Sequence, residues 1–219
     1  MSKIVIFGTG DIARLAHFYF TSDSNHHVVA FTVDAAHLKN TQFCGLPVVD
    51  FKRVEKLYPP RTYHMFVALS YTQLNRLRAR KYLAAKNKGY RLVNYISSLA
   101  TVFKNVQIGD NCFILEDNTL QPFVKIGNDV TLWSGNHIGH DTQIENHCFV
   151  SSQVVVSGFC QVKPYCFLGV NSTIHNGIVI APQTIVGAGA VITENTVEKG
   201  VYVPPRSIRL SKSSDKIKL

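Results

Sequence analysis

The first residues whose spacing suggests chemistry are Gly8-Thr9-Gly10-Asp11-Ile12-Ala13, a G-x-G-x-x-A run directly after the apolar stretch Ile4–Phe7. Such a turn brings backbone N–H groups close to a phosphate at the positive end of the helix it opens. Asp34 follows a second apolar stretch, Val28–Phe31, where an acid can bind a ribose hydroxyl. The cysteines point away from redox or metal chemistry. None forms a C-x-x-C pair, and Cys112, Cys148, Cys160 and Cys166 share one register with small residues, which predicts buried apolar fillers. Only Cys44 lies elsewhere.

The elements that must position the glycine turn occupy residues 1–95. Ile4–Phe7, Val28–Phe31, Met65–Leu69 and Arg91–Tyr95 read as short strands, and Asp11–Phe20, Phe51–Leu57 and Tyr71–Lys88 as helices, the last stopped by Gly89. Alternation of strand and helix predicts a small Rossmann-like parallel sheet covered on both faces. Its size leaves room for one nucleotide rather than two.

Beyond residue 95 the period changes. Every sixth residue from Ile96 to Ile192 is Ile, Leu or Val without a miss. Four places after each aliphatic, from Cys112 to Ala190, stands a small or β-branched residue, Ile178 being the large member of that set. One large and one small inward position per six residues describes a solenoid of short strands, three per turn and 18 residues per turn. The large residue fills the interior, the small one permits a tight bend, and stacked turns pair their backbones. The fold class is therefore α/β plus all-β: residues 1–95, a β-solenoid over 96–203, and a basic tail over 204–219.

The chain has 219 residues, with 23 Lys and Arg against 14 acidic residues, a formal charge of +9. Anionic partners suit that balance, but the cations form no single block; the densest region is Arg206, Arg209, Lys212, Lys216 and Lys218, read as a solvated tail. No run approaches the roughly 18 apolar residues of a membrane span, and the start runs straight into a strand. A cytoplasmic protein is expected, with neither nucleic acid nor membrane insertion.

A nucleotide-type α/β domain followed by hexapeptide repeats resembles the sugar O-/N-acyltransferases of the sialic-acid and bacillosamine pathway type. The resemblance runs from Ile4 to Arg206 and is most specific in Leu132-Trp133-Ser134-Gly135-Asn136-His137-Ile138-Gly139-His140-Asp141. It implies a left-handed parallel β-helix, where the usual crossover rule would favour the opposite hand. It also implies a homotrimer, acetyl-CoA in the groove between neighbouring helices, no metal, and acetylation of a nucleotide-linked amino sugar for surface polysaccharide, including lipopolysaccharide.

By the same resemblance His140 is the general base and Asp141 its partner. An imidazole ordinarily titrates near 6.5 and can take a proton from a sugar amine at neutral pH, while a carboxylate holds its tautomer. The nucleotide would contact Gly8, Thr9, Gly10 and Asp34, and CoA would run past Gly158, Gly169, Val170, Gly187 and Ala188. His137 reads equally as a structural hydrogen-bonding residue or a substrate contact. His147 and His175 occupy outward registers and are expected on the outer surface. Three places depart from the family pattern. Phe149 stands where many relatives carry a second histidine, Trp133 where many carry asparagine, and Val203-Pro204-Pro205-Arg206 replaces G-x-P-A. The alternatives are O-acetylation, a γ-carbonic-anhydrase-like zinc enzyme using His137, His140, His147 and His175, and a non-catalytic nucleotide-binding module.

Overall fold

The computed structural model describes residues 2–211 and 213–217. Strand β1 (Ser2–Phe7) leads through the glycine turn into α1 (Asp11–Ser22), followed by β2 (His26–Val33), β3 (Gln42–Phe43), β4 (Leu46–Asp50), α2 (Val54–Leu57), β5 (Tyr63–Val67) and α3 (Arg76–Asn87). The sheet order is β3-β4-β2-β1-β5. β4, β2, β1 and β5 pair in parallel, whereas β3 meets β4 antiparallel, so the sheet is mixed rather than purely parallel. The edge hairpin β3–β4 escapes a reading based on apolar runs because Gln42 and Pro47 break its pattern.

Alternation along β1 splits the core. Ile4 and Ile6 pack with Ala13, Ala16 and Phe20 of α1, while Val5 and Phe7 pack with Val54, Tyr82 and Ala85 of α2 and α3. Both faces are covered. Three expected elements are shorter or absent from the sheet, the first being α2, which starts at Val54 instead of Phe51. Helix α3 starts at Arg76 instead of Tyr71 because Gln73, Leu74 and Asn75 take left-handed φ values of 54°, 51° and 66°, which a right-handed helix does not admit. The stretch Arg91–Tyr95 is no strand of this sheet. Leu92 makes a lone bridge to Met65, and Tyr95 already pairs with Phe113 in the first turn of the solenoid.

The solenoid is a triangular parallel β-helix whose three sheets have seven, six and five strands among the described residues, an arrangement consistent with a left-handed β-helix of hexapeptide repeats. Strands pair with those 18 residues on, as Thr119 with His137 and His137 with Val155, until the last pairing, where Ile185 meets Val201 only 16 residues on. From Ile114 to Ile192 the aliphatic series is buried, as are the small positions from Cys112 to Ala190, cysteines included. At the open first end Ile96 stays 37% exposed because no turn lies beneath it. The bend itself is made one residue before each small position. Every sixth residue from Asn111 to Gly189 has φ between +55° and +79°, and several are Asn or Asp, which tolerate that region best.

The three corners of the triangle differ. One carries Asp129 and His147, the next Trp133 and Ser151, the third His140 and Asp141. Helix α1 packs on the first face of the solenoid, where Tyr19 and Phe20 meet Tyr95 and Phe113. Helix α3 docks on the Asp129 corner. There Arg78, 2% exposed, donates from Nε to Asp129 Oδ1 at 3.1 Å, and from Nη2 to the Asp129 and Cys148 carbonyls. His147 is therefore buried instead of lying on the outer surface. Its Nδ1 is 2.9 Å from Asp129 Oδ2, and its ring lies between Tyr82 and Tyr165. An outward register says nothing about what covers it. His175 is exposed. Arg206 and Arg209 of the tail are exposed, while Lys212, Lys218 and the side chain of Lys216 lie outside the described residues.

Candidate active site

The glycine turn follows β1 directly. Gly8 has φ +122°, and a Cβ there would lie 2.7 Å from the Ala68 carbonyl oxygen, so only glycine lets β1 and the β5 loop approach this closely. Gly8, Thr9, Gly10 and Asp34 line one cleft of about 400 Å³ together with His37, Lys39 and Lys81. Asp34 is paired with Lys81 at 2.6 Å, and the Lys81 ammonium sits 5.4 Å from the Phe7 ring centre. Sequence reading missed Lys81, whose place on α3 across from β2 is a tertiary fact.

A second cleft, about 520 Å³, adjoins the first through Gly10 and Leu69. It runs from Gly10–Ile12 and the loop Ala68–Thr72 onto Trp133, Phe149, Ser151, Ser152 and Val170 of the solenoid. Phe149 is 5% exposed, covered by Tyr71 at 5.0 Å and stacked between Trp133 and Phe167. It belongs to the junction of the two halves. The recurrence of aromatics at an 18-residue spacing at outward positions Tyr95, Phe113, Phe149 and Phe167, interrupted only by Thr131, is the signal that announces this wall.

His140 and Asp141 occupy the third corner. Asp141 takes φ 58°, which turns its carboxylate beside the preceding ring, and His140 Nδ1 is 2.9 Å from Asp141 Oδ2. The side chains are 48% and 40% exposed. The ring edge meets Phe159 at 4.8 Å, and the His140 N–H donates to Gln121 Oε1 at 2.9 Å. Gly158 lies directly beneath: a Cβ there would be 2.9 Å from His140 Nε2. His137 is half-buried on the strand leading to this corner. An imidazole so placed, with one nitrogen held by a carboxylate, can exchange a proton through the other.

Within one chain these groups do not converge. His140 lines neither cleft, being separated from the Trp133 corner by the strand after Gly135, about 13 Å of extended chain. The residues expected along CoA divide likewise. Gly158 sits on the His140 corner, whereas Gly169, Val170, Gly187 and Ala188 follow one another on the Trp133 corner, where Val170 lines the second cleft. Among the described residues no three His, Cys, Asp or Glu side chains gather as a metal site. No described helix is long and apolar enough to cross a membrane.

Comparison with known proteins places this geometry. The bacterial transferase hexapeptide (six repeats) model matches residues 105–139 and 123–158. An acyl-[acyl-carrier-protein]–UDP-N-acetylglucosamine O-acyltransferase of Paracoccus denitrificans is 27% identical over 108 residues, 46% of this chain and 41% of that protein. The chain thus spans less than half the length of the curated relatives it matches. Over nearly full length it is similar to perosamine N-acetyltransferase from Caulobacter crescentus, solved as a histidine-to-asparagine variant with CoA and GDP-perosamine. There the TM-score is 0.83 and identity 25%, covering 92% of this chain and 93% of that one. The acetyltransferase domain of PglB from Neisseria gonorrhoeae FA1090 shares the fold at TM-score 0.80 and 19% identity, covering 92% and 96%. The chain carries hexapeptide repeats, and its structural neighbours are sugar N-acetyltransferases.

Proposed function

We propose, with the hexapeptide-repeat acyltransferases as the premise, that this chain transfers the acetyl group of acetyl-CoA to the amino group of a nucleotide-linked amino sugar for surface glycan synthesis. The observation that carries this reading is the fold-length likeness to a CoA- and GDP-perosamine-bound N-acetyltransferase. It spans both the glycine-turn half and the solenoid that bears His140 and Asp141. In this reading the first domain, residues 1–95, is Rossmann-like, the solenoid over 96–203 is left-handed, and 204–219 is a basic tail.

His140 takes a proton from the neutral sugar amine as that amine nitrogen attacks the thioester carbonyl carbon. The tetrahedral intermediate then collapses with cleavage of the carbon–sulfur bond, and the imidazolium returns the proton to the departing thiolate. Asp141 holds the imidazole through Nδ1. Phe149 has no donor to offer the acyl carbonyl, so a backbone N–H serves the developing oxyanion. Because His140 lies one edge of the triangle away from the clefts of its own chain, the working site joins the His140 corner of one subunit to the Trp133 corner of the next, as in a homotrimer.

The test is thiol release from acetyl-CoA with GDP-, UDP- and dTDP-linked amino sugars, together with the product's resistance to hydroxylamine, which separates amide from ester. Amide formation that disappears in His140→Ala is expected. Full activity in that variant would overturn the mechanism, and a hydroxylamine-labile product would make the enzyme an O-acetyltransferase.

A further inference from the structure

A third cleft, of about 670 Å³, lies at the opposite edge of the first domain's sheet from the glycine turn. Because β1, β2 and β5 run parallel, their first residues share that edge, about 20 Å of strand from Gly8. Ser2, His26 and His64 come from those strand starts, and Arg91 from the strap bridged to β5. Gly109 and Asp110 of the first solenoid turn close the far wall.

Register puts the polar groups on one face. Ser2 pairs with His26 and Ile4 with His64, and the alternation that sends Ile4, Val28 and Phe66 toward α1 carries Ser2, His26 and His64 with them. Lys3, His27 and Tyr63 fall on the other face. The charge facing the histidines is one-sided. Asp110 is the acid lining the cleft, and both its oxygens are taken, Oδ1 by the Tyr82 hydroxyl and Oδ2 by the Lys86 ammonium, each at 2.5 Å. Asp23, at the end of α1, accepts from the Tyr95 hydroxyl and the Ser98 N–H. Asn94 is spent on the Gly109 carbonyl and the Cys112 N–H.

What remains is a set of donors. Arg91 makes no ion pair or side-chain hydrogen bond among the described residues. His64 Nδ1 is buried and has no hydrogen-bond partner there either, a state that buried ring nitrogens rarely keep. His26 gives Nδ1 to Ser2 Oγ at 2.6 Å and keeps Nε2. Burial, then the positive neighbours His64 and Arg91, hold His26 below the usual imidazole range, and burial, then Arg91, does the same to His64. A doubly charged oxyanion answers all of these groups, since it accepts from a guanidinium fork and two imidazolium rings at once.

We propose that this cleft is a second anion site, separate from the glycine turn, that holds a phosphoryl group through Arg91, His26 and His64 and takes up protons from solvent onto the rings as it binds. The site owes nothing to acetyl transfer, so failure of the acetyltransferase reading would leave it standing.

Sulfate is the sharpest probe, because it stays doubly charged across the range in which histidine titrates and any pH dependence of its affinity belongs to the protein. Calorimetry on the full chain should show sulfate binding about tenfold tighter at about pH 5.5 than at about pH 7.5, with net proton uptake. In spectra of isotope-labelled histidine, sulfate should move the His26 and His64 ring signals and raise their titration midpoints by about one pH unit. His37, which lines the first cleft, reports any ion at the glycine turn. Arg91→Gln should weaken sulfate about tenfold at both pH values, and a His26→Gln, His64→Gln double variant should abolish the pH dependence. A cooperative unfolding transition shows that each variant folds, and sulfate should raise its midpoint at low pH in the parent but not in the double variant. A response of His37 without His26 and His64, a pH-independent Kd, or Arg91→Gln binding like the parent would each overturn the site. Inorganic phosphate and glycerol phosphate then distinguish the sources: binding of both supports a phosphate monoester as ligand, and binding of the free ion alone supports phosphate itself.

Discussion

His140–Asp141 and His147–Asp129 are the same chemical pair at the same separation, 2.9 Å, on two corners of one solenoid. In the second pair Asp129 is fully buried and both oxygens are occupied, Oδ1 by Arg78 and Asn111 and Oδ2 by His147. Saturated in this way, the pair is a bolt between α3 and the solenoid. In the first pair both side chains are about half exposed and face a corner that the chain's own first domain leaves uncovered. The difference teaches that a histidine–carboxylate distance carries no function by itself. What decides is whether the remaining valences are already used.

The sharpest way to break this comparison is His140→Ala. Loss of a general base should lower kcat/KM by about 10²- to 10⁴-fold, while the free energy of unfolding stays within about 0.5 kcal/mol, as for an exposed residue. Equal activity would erase the contrast. Next comes Asp129→Ala, which leaves the Arg78 guanidinium buried without its counter-charge. A loss of about 3–5 kcal/mol in denaturant unfolding is expected, with the folded fraction still transferring acetyl groups. A smaller effect sharpens the exposed pair. In Gly158→Ala the new Cβ would press on His140 Nε2 and should lower kcat by about ten- to a hundredfold through misplacement of the ring. Binding of the nucleotide should not change.

The smallest effect concerns two histidines with no carboxylate partner among the described residues. Burial holds His26 and His64 below the usual imidazole range, and the neighbouring Arg91 adds to it. In the folded chain they bind protons less readily than in the unfolded one. Their contribution is therefore present above about pH 6.5 and is lost as pH falls through the depressed folded values. The unfolding midpoint should drop between pH 7 and 5, and a His26→Gln, His64→Gln double variant should flatten that slope. An unchanged slope would mean that these rings titrate alike in both states.

Much of this architecture is legible in one dimension because it repeats. Inward and outward are properties of register, and the series from Ile96 to Ile192 states the register seventeen times over. The helix over Asp11–Ser22 and the glycine turn before it are equally local. Other features are less legible. The edge hairpin at Gln42–Asp50 is local, but Gln42 and Pro47 hide it, whereas the segment before α3, where Asn75 reaches the Cys166 carbonyl, and His147, covered by Tyr82 of α3, meet partners far along the chain.

From the sequence alone come the six-residue period and the buried cysteines of the solenoid, and from its family resemblance the candidate pair His140–Asp141. The tertiary structure alone decided that Arg78 reaches Asp129 across 51 residues, that Trp133 and Phe149 wall a cleft opening from Gly10, and that His140 stands away from that cleft. The physical reason is that a backbone period determines which way a side chain points, whereas what meets it there depends on surfaces brought together only when the two halves dock.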